Sequence, residues 1–428
     1  MSKLALLGGN PVISNRVQIS RNRFTSSDIE EVYKYFDTSN INSYYGDEGL
    51  QHQYESELQS YFSRQYCVLL NSGTNSLFAA YFALGLMPND EVIVPAFSFF
   101  AVASPLLLLH TRIILADCDK FTGLIDFQDV IKKITDKTKA VVINYIGGDS
   151  PVDLIKFTDI LHQKGISIIE DISLAFGASN YDIKLGRLGD IACCSLGSTK
   201  LLSGGQGGFI VTNSREYYER IVLLGHFGQR SNSNVLNPFY RQFSRVSYGL
   251  NLRMHPLAIA ISYSRFKNLD ELIKMRHQRY KMLSDCLDGL SYINAPRETN
   301  GIFRGSWHGY FSLLSDSVEL PSGQCITDAL NAEGICVSYK AHYPLLHKEK
   351  IYTSQEDGIF RSRPNPYKIG TEQNRCIGAE FYNEHILSFP LFLDEDISVI
   401  KNYCAAIDKV FSNLPELIDY EKRLNTRY

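Results

Sequence analysis

Residues 167–171 have the sequence Ser-Ile-Ile-Glu-Asp, a short apolar run that ends in two carboxylates. An amphipathic stretch from Asp153 to Lys164 precedes this run, and another apolar run, Ile191 to Ser195, follows it. Short apolar runs that alternate with helical patterns are typical of α/β domains with a mostly parallel sheet. The sequence therefore predicts an α/β fold in which Asp171 lies at the carboxyl end of a buried strand.

The same alternation extends along the chain from about residue 60 to residue 215. The further strands that it predicts are Val68–Leu70, Glu91–Pro95, Ile113–Ala116, Ala140–Asn144 and Gly208–Thr212. Helical patterns lie between several of them, for example at Asn75–Leu86 and Phe127–Ile134. Ligands of such sheets bind beyond the carboxyl ends of the strands, so we expect the functional site there.

The rest of the chain predicts a smaller α+β domain. We place the large α/β domain, with an N-terminal arm, at residues 1–265 and the small C-terminal domain at residues 266–428. The elements expected beyond the predicted sheet are a long loop at Ser231–Ser247, one long helix, straight or kinked, at Pro256–Leu287, short strands at Gly309–Leu314 and Cys336–Tyr339, a surface insertion at Tyr352–Gln373, and a helix at Asp394–Phe411.

Composition and charge exclude several classes of protein. The net charge of −3 over 428 residues provides no basic surface for nucleic acid or a membrane. The nine cysteines have no metal-ligand spacing and are expected to be reduced thiols. The apolar run within Met1–Asn10 is too short for a signal peptide, and no run elsewhere is long enough to span a bilayer. We therefore expect a cytoplasmic protein with no nucleic-acid or membrane partner.

The turn Asn71-Ser72-Gly73-Thr74 joins a predicted strand to a predicted helix. The backbone N–H groups at the start of a helix are exposed and can bind an anion. An ordinary capped helix is the competing interpretation. By itself, the turn is only a candidate for a phosphate site.

Two ionisable side chains are candidates for chemistry. Asp171 can pair with a cationic ring nitrogen, or it can simply cap the next helix. Lys200 ends the stretch Ser195-Leu196-Gly197-Ser198-Thr199-Lys200 and precedes the glycine-rich Gly204–Gly208. A lysine in such a turn is a candidate Schiff-base nucleophile, and a solvated surface lysine is the alternative.

Taken together, these residues point to one cofactor. Pyridoxal phosphate chemistry needs an amine, a carboxylate for the ring nitrogen, a phosphate cradle and a stacking face. The chain offers Lys200, Asp171 and the Gly73–Thr74 turn in the expected order, and the aromatic stretch Pro95–Phe100 can supply the stacking face. Aromatic side chains at a strand end also commonly belong to the core. The joint occurrence favours a pyridoxal-phosphate enzyme.

At these residues the chain resembles the DegT/DnrJ/EryC1/StrS family of pyridoxal-phosphate-dependent sugar aminotransferases, which have fold type I. The resemblance covers nearly the whole chain, from Leu4–Val12 onwards. The site that it implies consists of a Schiff-base lysine, a ring-nitrogen carboxylate, a stacking aromatic ring and phosphate ligands: Lys200, Asp171, Phe99, and Gly73, Thr74 and Ser195. The motifs form an ordered series, which is more specific than any one of them alone.

A further motif implies a second subunit. Gly249–Leu257 is similar to the family stretch GxNxRMHPL, whose asparagine reaches the cofactor phosphate of the neighbouring subunit. The resemblance therefore implies that Asn251 is a cofactor ligand and that the protein is a homodimer with a shared active site.

The chain departs from the family pattern at several positions near the implied site. Gln206 replaces a glutamate in the glycine-rich stretch, and Asn144–Gly148 stands where the family has HxxGQ. Leu174 replaces the polar residue that faces the cofactor's ring hydroxyl, and Phe176 replaces the histidine beyond it. These changes leave the cofactor scaffold complete, but they leave the substrate and the reaction open.

The activity that the resemblance implies is transamination, from glutamate or glutamine to a keto sugar or keto cyclitol, with Lys200 as acid and base. Two alternatives stay open. One is another pyridoxal-phosphate reaction, such as that of a dehydratase, cyclase or lyase, although family dehydratases replace the lysine with histidine. The other is a non-catalytic regulator that keeps the fold.

Other polar residues have two interpretations each. His342, Tyr343 and His347 resemble a family stretch that lines the substrate entrance, and a structural role fits them equally well. Three arginines of the loop region can bind a substrate anion or form a solvated face: Arg230, Arg241 and Arg245.

Overall fold

The computed structural model describes residues 2–14, 19, 24–37, 49–296, 299–353 and 375–426. Its strands, in chain order, are β1 (Tyr66–Leu70), β2 (Glu91–Pro95), β3 (Arg112–Ala116), β4 (Thr138–Asn144), β5 (Ser167–Asp171), β6 (Ser179–Asn180), β7 (Ile183–Lys184), β8 (Ile191–Ser195), β9 (Gly208–Thr212), β10 (Ile293–Asn294), β11 (Ile302–Phe303), β12 (Tyr310–Leu314), β13 (Ser338–Tyr339) and β14 (Ile386–Phe389).

Helices lie between most of these strands and after the last one. They are α1 (Ser26–Asp37), α2 (Gly49–Phe62), α3 (Gly73–Ala83), α4 (Ser104–Leu108), α5 (Phe127–Lys133), α6 (Leu154–Gln163), α7 (Arg215–Gly225), α8 (Gln229–Asn234), α9 (Pro238–Arg241), α10 (Pro256–Lys267), α11 (Leu269–Leu287), α12 (Gly323–Ala332), α13 (Lys350–Thr353), α14 (Ile377–His385), α15 (Ile397–Ser412) and α16 (Leu414–Asn425).

The central sheet has seven strands in the order β1-β9-β8-β5-β4-β2-β3. Strand β9 pairs antiparallel with β1 and β8, and the other neighbouring strands pair parallel. Successive side chains of a strand point to opposite faces, so each strand contributes to two core layers. On β2, Val92 and Val94 join one layer and Ile93 joins the other. This mixed sheet with helices on both faces confirms the predicted α/β fold.

A second sheet has four antiparallel strands in the order β10-β12-β14-β13. Its core includes side chains of α11, α12, α15 and α16. Leu4 and Ile13, from the start of the chain, are buried in the same hydrophobic cluster. The smaller region is therefore α+β, as predicted.

The helix expected at Pro256–Leu287, straight or kinked, is kinked: Asn268 lies between α10 and α11 with non-helical backbone angles. One prediction about local structure was wrong. The loop expected at Ser231–Ser247 contains most of α8 and all of α9. Helix α9 forms because the Asn237 side chain accepts a hydrogen bond from Phe239 N, and Pro238 fits the first helical turn.

The surface insertion predicted at Tyr352–Gln373 lies outside the described residues beyond Thr353. Within the described ranges, none of the helices is long and apolar enough to cross a membrane.

Candidate active site

A cavity of about 1060 Å³ opens beyond the carboxyl ends of β1, β2, β4, β5 and β8. Six of the seven residues assigned to the site from the sequence line it: Gly73, Thr74, Phe99, Asp171, Ser195 and Lys200. The fold therefore brings together residues that are up to 127 positions apart, since they span positions 73 to 200. The cavity lies where ligands of parallel sheets bind.

Asp171 ends strand β5 and faces this cavity. Its Oδ1 accepts a hydrogen bond from Ser173 N at 3.0 Å. Burial raises the pKa of the Asp171 carboxyl above its usual value, while hydrogen bonds from Ser173 and the charge of Lys200 act in the opposite direction. A carboxylate in such surroundings gains from a cationic partner, because the partner offsets the cost of desolvation.

Lys200 lies in a tight turn after β8. Its backbone N–H donates to Gly197 O at 2.9 Å, and its carbonyl accepts from Ser203 N at 3.1 Å. Desolvation in the cavity lowers the pKa of Lys200 to about 8, although the nearby Asp171 carboxylate partly opposes this shift. At pH 7, about a tenth of the Lys200 side chains are therefore uncharged, nucleophilic amines, a much larger fraction than for an ordinary lysine.

The start of α3 forms a cradle with the end of β8. Ser72 caps the helix by accepting a hydrogen bond from Asn75 N at 3.1 Å. A Cβ on Gly73 would lie 2.6 Å from Ser195 Cβ, so this close approach requires glycine. The cradle combines the N–H groups of a helix start with the Ser195 hydroxyl, which is the donor set expected for a phosphate group.

The three aromatic residues after β2 have different surroundings. Phe97 is fully buried and packs edge-on against Tyr343 and Tyr382. Phe99 lines the cavity and is 45% exposed, and its ring centroid lies 4.2 Å from that of Phe100. Phe99 is therefore the one of the three with a ring available to a ligand in the cavity.

Asn251 is the one predicted ligand that does not line the cavity of this chain. It is exposed, and its backbone forms an isolated bridge with His226. Its carbonyl accepts a hydrogen bond from Asn71 Nδ2 at 3.4 Å, which ties it to the turn before α3. An outward side chain is compatible with the predicted contact to a neighbouring subunit, which stays a prediction.

Two polar residues of the cavity had no assigned role in the sequence analysis. Ser173 Oγ accepts a hydrogen bond from Ser195 N at 2.9 Å, so it links the end of β8 to the segment after Asp171. Asn144 ends β4, and its Nδ2 donates to Ser98 Oγ at 2.8 Å. The sequence feature that could have identified Asn144 and Ser173 is their position at or just after the end of a predicted strand.

The two departures from the family pattern after Asp171 have different consequences. Leu174 lines the cavity, so an apolar side chain faces the ligand at that point. Phe176 is buried in an aromatic cluster away from the cavity lining, with its ring stacked on Tyr61 at 5.3 Å. Of these two changes, the one at Leu174 alters the surface of the site, and the one at Phe176 does not.

The remaining polar candidates divide between the cavity and the core. His342 and Tyr343 line the cavity, whereas His347 is buried and its Nε2 lies 2.9 Å from Glu380. Arg230 does not lie on a solvated loop face: it is buried and forms a two-pronged ion pair with Glu55 at 2.9 and 3.0 Å. Arg241 and Arg245 are exposed.

These features fit pyridoxal 5′-phosphate. The glycine-only cradle matches a phosphate, the partly desolvated Asp171 matches a cationic ring nitrogen, and Lys200 supplies the amine. The described residues contain no group of His, Cys, Asp and Glu side chains that can hold a metal ion.

The fold and the site define a pyridoxal-phosphate-dependent enzyme of fold type I. The chain belongs to the DegT/DnrJ/EryC1/StrS aminotransferase family, whose model matches residues 25–373. It is 29% identical over 317 residues to the L-glutamine:2-deoxy-scyllo-inosose aminotransferase of Streptoalloteichus tenebrarius, an alignment that covers 72% of this chain and 73% of that protein.

Solved structures share the fold. An aminotransferase from Psychrobacter cryohalolentis has a TM-score of 0.79 at 23% identity, over 92% of this chain and 99% of that one. The GDP-4-keto-6-deoxy-D-mannose-3-dehydratase of E. coli, with bound hydrated pyridoxal phosphate, has a TM-score of 0.77 at 21% identity, with the same coverage. The fold therefore occurs with at least two reactions. Membership of the family, together with the fit of the site, indicates pyridoxal phosphate as the cofactor.

Proposed function

We propose that the protein is an aminotransferase that moves an amino group from glutamate or glutamine to a keto sugar or keto cyclitol. The observation that carries this proposal is Lys200, an amine whose pKa is lowered to about 8, in the same cavity as the Asp171 carboxylate. Family dehydratases have histidine at the position of this lysine. A retained lysine therefore favours amino transfer over dehydration.

In this proposal, each part of the cofactor has a partner in the cavity. Asp171 holds the ring nitrogen in its protonated form, because its buried carboxylate requires a positive partner. The start of α3, at Gly73 and Thr74, and the Ser195 hydroxyl hold the phosphate. Phe99 covers one face of the ring.

When bound, pyridoxal phosphate supplies an aromatic ring that accepts the electron pair left when a carbon next to an amino group loses its proton. Lys200 anchors the cofactor and then acts as the acid and base. Its Nζ takes a proton from the α-carbon of the donor and delivers it to the cofactor carbon that carries the aldehyde group, and a pKa of about 8 suits both transfers near neutral pH.

We also infer that the working unit is a homodimer with a shared site. A group of apolar side chains just before Asn251 is exposed on the described surface: Phe239, Phe243, Val246, Tyr248 and Leu250. Contiguous exposed apolar side chains are typical of surfaces that another chain covers. A second copy on this surface would place Asn251 at the subunit boundary, in agreement with the role that the resemblance implies.

The first test needs no knowledge of the keto substrate. Purified protein loaded with pyridoxal phosphate is mixed with glutamate or glutamine alone, and the visible absorbance and the released 2-oxo acid are followed. We expect the visible band to bleach and about one equivalent of 2-oxo acid to appear per cofactor, because the amino group stays on the protein-bound cofactor. If neither glutamate nor glutamine releases a 2-oxo acid, the proposal is contradicted.

The second test separates amino transfer from other reactions. Keto sugars, including nucleotide-linked ones, and keto cyclitols are offered with ¹⁵N-labelled donor, and the products are analysed by mass spectrometry. An aminotransferase gives a product that contains ¹⁵N. A product that has lost the mass of one water and contains no label identifies a dehydratase, and no turnover with any donor supports a non-catalytic role.

A further inference from the structure

Asn144 has an unusual hydrogen-bond state for a buried amide. Its side chain is 3% exposed and lines the cavity. Its Nδ2 donates to Ser98 Oγ at 2.8 Å and to Phe97 O at 3.4 Å, and its Oδ1 has no partner. Buried polar atoms are nearly always hydrogen-bonded, so a buried amide oxygen without a partner, on a residue that lines a cavity, makes Asn144 a candidate for a ligand contact.

The sheet fixes where this amide lies relative to Asp171. Strands β4 and β5 pair parallel with Asn144 opposite Asp171, so the two side chains point to the same face. In the sheet order, β5 lies between β8, which ends in Ser195, and β4, which ends in Asn144. Asp171 is therefore flanked by the phosphate cradle on one side and by Asn144 on the other.

The covalent structure of pyridoxal phosphate matches this order. The ring nitrogen and the carbon that bears the aldehyde lie at opposite ends of one axis, and the phosphate arm and the ring hydroxyl lie on opposite edges. If Asp171 holds the nitrogen and the cradle on the β8 side holds the phosphate, the hydroxyl edge faces β4. Asn144 is then a polar residue on that edge.

We propose that Asn144 hydrogen-bonds the ring oxygen of the cofactor and replaces the polar contact that is lost at Leu174. This inference rests on the proposed roles of Asp171 and Ser195. A half-turn of the amide exchanges its two ends, so that Nδ2 takes the position of the unpartnered Oδ1 and becomes free to donate to the ring oxygen. The Ser98 hydroxyl then donates to Oδ1, because a hydroxyl can both donate and accept. The contact given up, to Phe97 O, is long and weak.

The consequence is a change in the proton balance of the bound cofactor. A hydrogen-bond donor at the ring oxygen stabilises the negative charge on that oxygen. The oxygen then attracts the proton on the nearby Lys200 nitrogen less strongly, so this nitrogen loses its proton at lower pH. Removing the donor therefore makes that nitrogen keep its proton to higher pH. Hydrogen bonds to charged groups are strong enough for a shift of about one pH unit.

The experiment is a pH titration of the visible absorbance of the cofactor-loaded protein. We expect the midpoint for Asn144→Ala to lie above that of the wild type by about one pH unit. The double variant Asn144→Ala with Leu174→Gln restores a polar side chain at the family position and should move the midpoint back. Ser98→Ala, which only loosens the amide, should shift the midpoint in the same direction by less.

Three outcomes decide the inference. A shift with rescue by Leu174→Gln supports it, because a purely structural role of Asn144 would not be repaired from that position. An unchanged midpoint in a folded, cofactor-loaded Asn144→Ala protein overturns it and leaves the proposed function intact. If instead the wild type shows no Lys200-dependent absorbance band, the proposed cofactor site itself fails.

Discussion

Two consecutive carboxylates at the end of β5, Glu170 and Asp171, have opposite surroundings. Glu170 is fully buried and accepts four hydrogen bonds between 2.7 and 2.9 Å, whose donors are Tyr145 OH and the backbone N–H groups of Gly186, Leu188 and Gly189. Asp171 points to the other face of the sheet, borders the cavity, and receives from the backbone only the N–H of Ser173 among the described contacts.

The difference shows how one strand separates structure from function. The four hydrogen bonds occupy the acceptor positions of Glu170, so it cannot bind a ligand. They hold the segment after β7 against the sheet. Asp171 keeps open acceptor positions in surroundings that raise its pKa, so a cationic ligand stabilises its charged form. The contrast can be tested by replacing each carboxylate with its amide, because the Asp171 variant should lose activity and the Glu170 variant should lose stability.

The largest effect is expected for Asp171→Asn. A neutral amide does not keep the ring nitrogen protonated, so the rate of the half-reaction with glutamate or glutamine should fall by roughly 10²–10⁴-fold. The free energy of unfolding without cofactor should stay equal or rise, since the raised pKa of Asp171 means that its buried charge costs stability. Stopped-flow absorbance and denaturant unfolding measure the two quantities. A variant within about threefold of the wild-type rate would contradict this role.

An intermediate effect is expected from pH on the capture of cofactor by the cofactor-free protein. Only the uncharged amine of Lys200 reacts, and its pKa is lowered to about 8. The second-order rate of capture should therefore rise about tenfold per pH unit below pH 8 and level off above it. N-acetyl-lysine methylamide, measured in parallel, should keep rising to the higher pKa of an ordinary lysine. Parallel pH profiles for the protein and the model amine would show that the cavity does not lower the pKa of Lys200.

The smallest change in rate is expected for Glu170→Gln. Its amide NH₂ cannot accept from the surrounding donors, so the free energy of unfolding should fall by about 1–3 kcal/mol. The folded fraction should bind pyridoxal phosphate with the wild-type spectrum, because Glu170 faces away from the cavity. Urea unfolding and an absorbance spectrum provide the comparison with Asp171→Asn. Loss of the spectrum with stability unchanged would reverse the assignment of the two residues.

Much of this contrast could be predicted from the sequence. The apolar run at Ser167–Asp171 predicts the strand and its end, and strict alternation places the two carboxylates on opposite faces. Which face borders the cavity depends on sheet order and on the helix that covers each side. The ordered motifs supplied the remaining candidate ligands, and six of the seven line one cavity.

Other features depend on contacts that a pattern does not contain. The place of Asn144 beside Asp171 follows from the pairing of β4 with β5. Arg230 was assigned to a loop because its neighbours are polar, yet it pairs with Glu55, 175 positions earlier. The break at Asn268 interrupts a continuous helical pattern. In each case, tertiary structure overrides the local signal.

Reduction of the cofactor-loaded protein tests whether Lys200 holds the cofactor. Borohydride makes the link between the lysine and pyridoxal phosphate permanent, and peptide mass spectrometry then locates it. We predict one modified residue per chain, on the peptide that contains Lys200, and no visible absorbance band in Lys200→Ala. A permanent label on another lysine, or an unchanged band in Lys200→Ala, would contradict it.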